Sequence, residues 1–177
     1  MSEDNILTPH GWMRGRLVHH EGRVSAVEGV PCDPADNDLP YLLPGFIDLH
    51  VHGGGGKDIM EGRSAFETIT RTHVRFGTTS LLATTMTAPV EEISRVLGEL
   101  GQFCENRPSG SARVLGVHLE GPYIAPARKG THDAAKFRVP GADEIAMATS
   151  LDNGVPLLTL APGQVPADTI RRVVAPG

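Results

Sequence analysis

From Leu43 onward, apolar residues recur with two periods in turn, the alternation expected of strands and helices. Residues 43–51 form an apolar run that predicts a strand. Residues 64–76 predict a helix, with Ser64 as N-cap, Glu67 completing a capping box and Gly77 as the stop. Residues 78–85, rich in Thr and Leu, predict a second strand. Ile93, Val96, Leu97, Leu100 and Phe103 recur at helical spacing and predict a helix over 89–104. A third strand follows over 113–119, then a short helix over 142–151 closed by Gly154. A fourth strand over 155–160 and a helix over 167–174 complete the series. This order implies a parallel sheet with helices outside it.

The first 40 residues follow a different pattern. Residues 16–20 and 23–27 are short strand-like runs around Glu21-Gly22, a hairpin signal. Residues 31–40, rich in Pro and Asp, predict a linker. His19 and His20 are adjacent, so on a strand they face opposite ways and cannot chelate together. Both are expected at the surface.

Composition narrows the classes. With 177 residues, 40% hydrophobic and 21% charged, the chain has the make-up of a soluble globular domain. A net charge of −5 argues against a nucleic-acid partner. The acidic, polar start does not read as a signal peptide, and no apolar run is long enough for a membrane span. Cys32 and Cys104 lie far apart in unrelated contexts and read as reduced thiols, which fits the cytoplasm.

The chemistry gathers at the ends of the strands, where α/β folds place their active sites. His50 and His52 lie two apart, so a strand points both to one face. Imidazoles so paired make a metal pincer. The alternative is one core histidine and one solvated loop histidine. Their place after an apolar run and before four glycines favours metal. His118 and Glu120 repeat the spacing at the third strand, ahead of Gly121-Pro122. Glu120 reads as a metal ligand beside the two histidines. His118 reads as an outer residue that orients Glu120 or a metal-bound water. Thr84 and Thr85 end the second strand.

Arg128-Lys129-Gly130-Thr131-His132-Asp133 mixes basic, hydroxyl and imidazole donors, a composition suited to an anionic or polyhydroxylated ligand. Gly53-Gly54-Gly55-Gly56-Lys57-Asp58 is not a phosphate loop. Val51 stands where the pattern needs its first Gly, and Asp58 where it needs Ser or Thr. Those glycines suit a tight turn or close backbone approach. There is no Gly-x-Ser-x-Gly elbow, and neither cysteine has a nucleophile's context.

Taken together, residues 43–53, 76–79, 118–123 and 129–132 resemble the N-acetylglucosamine-6-phosphate deacetylase family within the amidohydrolase superfamily. Residues 158–162 fit as well, although the family usually has Glu where Gly163 stands. The resemblance implies an α/β fold, the first half of a (β/α)8 barrel of TIM type (about four strands), preceded by part of a small β-sandwich. Residues 1–42 would be the N-terminal part of the sandwich and 43–177 the N-terminal half of the barrel. It implies hydrolysis of N-acetylglucosamine 6-phosphate to glucosamine 6-phosphate and acetate, by attack of a metal-bound hydroxide on the acetyl carbonyl. Glu120, His50 and His52 would hold one or two divalent ions, zinc first, with iron, cobalt or manganese as alternatives. Thr131 and His132 would contact the sugar phosphate. The family's further metal histidines, its catalytic aspartate and its phosphate-binding arginine lie in the second half, beyond Gly177. The partner would be a second copy, as in a dimer of the full-length chain, or a complementary C-terminal half.

Two other readings compete. One is a different amidohydrolase, acting on cyclic amides or as a deaminase, which the Glu120-Gly121-Pro122 segment argues against. The other is a non-catalytic half-barrel that binds metal or sugar phosphate without turnover. Either way, half a barrel should leave two strand edges unpaired and its inner apolar layer uncovered.

Overall fold

A computed structural model of the chain describes residues 3–149 and 155–174. The expected helix stop at Gly154 lies outside the described residues. The chain divides into two compact units at the Gly45–Phe46 junction.

The first unit is a four-stranded sheet. β1 (Asp4–Thr8), β2 (Gly11–His20), β3 (Arg23–Pro31) and β4 (Tyr41–Leu42) lie in the order β3-β2-β1-β4. β1, β2 and β3 pair antiparallel, and β4 joins β1 in parallel. The β2–β3 turn places Glu21 at φ 48° and Gly22 at φ 74°. Two successive positive φ values match the strands' twist, which is why Gly22 suits this turn. The hairpin is longer than the short runs suggested, and β1 has no counterpart in the sequence reading. Residues 31–40 are not an idle linker. Asn5, fully buried, donates through Nδ2 to Asn37 Oδ1 (2.9 Å) and to the Leu39 carbonyl (3.1 Å). Its backbone N–H donates to the Pro40 carbonyl at 2.8 Å. A buried amide must be satisfied, and this one ties the segment down.

The second unit carries β5 (Phe46–Val51), β6 (Gly53–Gly54), β7 (Lys57–Asp58), α1 (Arg63–Val74), β8 (Thr78–Thr85), α2 (Val90–Glu105), β9 (Arg113–Glu120), α3 (Ala142–Thr149), β10 (Val155–Thr159) and α4 (Ala167–Val174). β10-β9-β8-β5 form a parallel four-stranded sheet, a half-barrel. The glycine run makes the β6–β7 hairpin, which needs Gly55 and Gly56 at positive φ.

The core lies between one face of this sheet and the helices. Leu81 and Ala83 of β8 and Val117 and Leu119 of β9 meet Phe66 and Ile69 of α1 and Ile93, Val96, Leu97 and Leu100 of α2. Phe66 and Phe103 stack edge to face, with ring centroids 5.6 Å apart. β5 and β10 are the sheet's two edges, and Phe46, Ile47 and Leu49 of β5 are more than half exposed. Among the described residues no helix is long and apolar enough to cross a membrane.

The capping box expected at Ser64 and Glu67 does not form. α1 starts one residue earlier, after Gly62, and its first N–H, from Arg63, donates to Glu99 Oε2 of α2 at 2.7 Å. Glu67 instead accepts from Arg71 Nε at 2.8 Å. A carboxylate from the neighbouring helix took the cap, a tertiary contact that local spacing cannot show. The capping box of this region belongs to Asp58 and Glu61, at the preceding short helical turn.

Candidate functional site

The side chains at issue leave the carboxyl ends of the parallel strands. Alternation sends Val51, Ala83, Val117 and Leu119 into the helix-covered core, and puts His52, Thr84, His118 and Glu120 on the other side. His50 Nε2 and His52 Nε2 are 3.0 Å apart. Glu120 Oε2 lies 2.8 Å from His52 Nε2 and 3.4 Å from His50 Nε2. Three ligand atoms from two strands, 68 residues apart in sequence, thus share one small volume.

That donor set fits a metal ion. His52 Nδ1 lies 3.2 Å from the Thr84 carbonyl, which can only accept, so Nδ1 carries the proton. On a neutral ring His52 Nε2 then presents a lone pair, and it faces a carboxylate oxygen and the other imidazole nitrogen. A cation between these three atoms would satisfy all of them at this spacing. Tetrahedral bonds of about 2.0–2.1 Å place neighbouring ligand atoms about 3.3 Å apart, close to the spacing seen. His50, His52 and Glu120 could therefore hold a divalent ion.

His118 does not join this cluster. Its Nε2 is 2.8 Å from Thr159 Oγ1, and its ring meets that of His50 edge to face at 4.8 Å. Burial lowers its pKa below 6.5 and the nearby His50 adds to this, against Glu120 and a Leu49 backbone bond, so it is neutral at pH 7. It backs His50 and shows no direct bond to Glu120.

The loop after β9 brings the remaining residues. His132 is buried, and its Nδ1 lies 2.8 Å from Thr87 Oγ1. Its Nε2 is 3.9 Å from Glu120 Oε1, too far for a hydrogen bond. Thr131 is exposed on the wall of an open pocket of about 540 Å³ beside Glu120. Arg128, Lys129, His132 and Thr159 line the same pocket. The loop is pinned behind it. Arg138 Nε donates to Glu144 Oε1 at 2.8 Å, Tyr123 Oη donates to the same oxygen at 3.2 Å, and Arg138 Nη1 donates to the Ala88 carbonyl at 3.0 Å. Burial pushes the Glu144 carboxyl up, but hydrogen bonds from Arg138 and the Gly141 N–H outweigh it and hold its pKa below 4.5. The Tyr123 phenol is raised by burial and by the Glu144 charge.

Local spacing gave no sign of Thr87 or Asp48. Asp48 Oδ1 accepts the His50 N–H at 3.0 Å. Gly121 carries a signal that could have led to Thr87. Its φ is 75°, and a Cβ there would stand 2.1 Å from Thr87 Oγ1. Gly121→Ala is expected to destabilise the chain by about 1–3 kcal/mol, from the left-handed backbone and the clash. It should also push Thr87 off His132. Urea unfolding and the His132 ring resonances check this, and unchanged values for both contradict it.

Comparison with known proteins places the chain. It is 37% identical over 135 residues to an N-acetylgalactosamine-6-phosphate deacetylase of Escherichia coli O157:H7, covering 75% of this chain and 36% of that protein. It is 35% identical over 186 residues to an N-acetylglucosamine-6-phosphate deacetylase of Vibrio furnissii, covering 97% and 45%. The crystal structure of the Thermotoga maritima N-acetylglucosamine-6-phosphate deacetylase superposes with a TM-score of 0.83 at 31% identity, over 98% of this chain and 45% of that one. The chain thus spans less than half the length of these relatives. The amidohydrolase family matches residues 41–175, and the chain belongs to that family.

Proposed function

We propose that this chain supplies the metal-binding half of a deacetylase that hydrolyses the N-acetyl group of an amino-sugar 6-phosphate, N-acetylglucosamine 6-phosphate first. The observation that carries this is the convergence of His50, His52 and Glu120 beside the pocket that holds Thr131 and His132. The relatives named above act on the glucosamine and galactosamine forms, which supports the substrate class and leaves the sugar epimer to the test.

His50, His52 and Glu120 would hold the ion, with zinc suited to two imidazoles and a carboxylate. A bound divalent ion supplies Lewis-acid polarisation of the acetyl carbonyl and activation of water. Thr84, Thr87 and Asp48 orient the groups around it. His132, its Nδ1 taken by Thr87, offers Nε2 to the substrate, and exposed Thr131 offers a hydroxyl. Arg128 and Lys129 give the pocket mouth positive charge for an anionic sugar. The proton on the leaving amine needs an acid that these residues do not provide, and an aspartate of the second barrel half would deliver it. The first unit would be the opening part of a small β-sandwich. A dimer of the full-length protein and a cytoplasmic setting belong to the same reading, the latter supported by free Cys32 and Cys104.

The test follows acetate release from N-acetylglucosamine 6-phosphate. The product isolated from its own cells, with zinc, is expected to release acetate. A chelator should stop the reaction and added zinc restore it. The 177 residues alone are expected to bind zinc without turnover. Efficient turnover by those residues alone would overturn the assignment of the acid to the other half. Chelator-resistant activity would overturn the metal's role.

A further inference from the structure

Between Asp48 and Val51 the β5–β8 ladder slips. Asp48 pairs with Leu81 and Val51 with Ala83, so three steps on β5 span two on β8. Such a bulge re-aims side chains, and His50 sits in it. A bulge also takes backbone groups out of the ladder, and these need other partners. The His50 N–H finds Asp48 Oδ1, while the Val51 N–H donates to Thr84 Oγ1 at 2.8 Å. Thr84 meets this segment a second time, because its carbonyl accepts from His52 Nδ1 at 3.2 Å. Thr84 is fully buried, and so is its neighbour Thr85. Thr85 Oγ1, however, has no hydrogen-bond partner in the structure.

We propose that Thr84 is a positioning residue of the metal centre: its hydroxyl fixes the backbone between His50 and His52, and its carbonyl fixes the His52 tautomer. This rests on the reading of His50, His52 and Glu120 as metal ligands. A threonine kept only to fill the core could be exchanged for valine, which has the same shape. At Thr84 that exchange takes from the Val51 N–H the hydroxyl it donates to, at the end of the bulged segment. The amide must then turn toward another acceptor, and both flanking imidazoles move with it. At Thr85 the same exchange removes a hydroxyl that bonds nothing. The two positions form an internal comparison, equal in shape and burial and opposite in hydrogen bonding.

The experiment measures zinc affinity of the 177-residue chain against a chelating dye. Thr84→Val is expected to weaken binding about 10- to 100-fold, the usual loss when a group behind a ligand is removed. Thr84→Ser, which keeps the hydroxyl, and Thr85→Val should bind as the parent does. Equal binding by folded Thr84→Val and Thr85→Val overturns the assignment to Thr84 alone. A folded parent chain that binds no zinc overturns the metal reading and the Thr84 role with it. Should Thr84→Val fail to fold, imidazole nitrogen NMR of the parent at alkaline pH decides. The proposal requires His52 to carry its proton on Nδ1, and a proton on Nε2 overturns it.

Discussion

Glu120→Gln is expected to abolish metal binding and, if a second barrel half completes the deacetylase as proposed, turnover with it. The glutamine keeps the side chain's length and shape. It loses the charge and the second acceptor oxygen, which are what the site uses. Glu120 Oε2 lies 2.8 Å from His52 Nε2 and 3.4 Å from His50 Nε2, and it is the carboxylate among the three residues that could hold the ion. Two neutral imidazoles and an amide make a poor site for a divalent ion. The loss should reach at least about 100-fold in zinc affinity, the upper end of what even a second-layer change costs. The fold should survive, since Glu120 ends its strand and, among the described residues, its carboxylate pairs with His50, His52 and, at 3.9 Å, His132. Metal content after dialysis, read beside acetate release, checks the two effects together. Near-parental zinc in a folded Glu120→Gln chain would contradict the ligand assignment.

Much of this site was legible because its logic is local. A strand repeats every two residues, so His50-x-His52 and His118-x-Glu120 each announce a shared face without any structure. Placement at strand ends then puts the two pairs at one rim. The strands over 78–85 and 113–119 and the helix over 167–174 were also legible from local composition and pattern, and the structure has them at Thr78–Thr85, Arg113–Glu120 and Ala167–Val174. Spacing alone did not separate His118 from the ligands. It shares a face with Glu120, yet its Nε2 is taken by Thr159, 41 residues away.

What stayed hidden depends on pairs of residues far apart in the chain. Thr84 reaches Val51 across 33 residues and Thr87 reaches His132 across 45. Glu99 caps α1 from 36 residues away, which is why Ser64 and Glu67 misled. Asn5 holds a segment whose Pro and Asp content reads as a linker. In each case a polar group is satisfied by a partner far along the chain, and single-sequence periodicity carries no term for that.

Phe66→Ala is expected to unfold the chain or bring it to the edge of unfolding, and the reason lies in how the two faces of the sheet are covered. The helix-covered face of β8 and β9 is well packed. Phe66 is 1% exposed, stacks on Phe103 across α1 and α2, and belongs to the same cluster as β8 and β9. Removing such a ring costs about 3–5 kcal/mol, the lost transfer energy plus the cavity left behind. Domains of this size hold about 5–15 kcal/mol in total. This chain should sit near the bottom of that range, because β5 leaves Phe46, Ile47 and Leu49 in water and so gains little from them. Stability therefore rests on the helix-covered face. Phe46→Ala supplies the contrast, since a ring 60% exposed should change stability by no more than about 0.5 kcal/mol. Urea unfolding of the two variants beside the parent reads the difference. A Phe66→Ala chain less than about 1 kcal/mol below the parent would mean that the outer core is not what holds the half-barrel together.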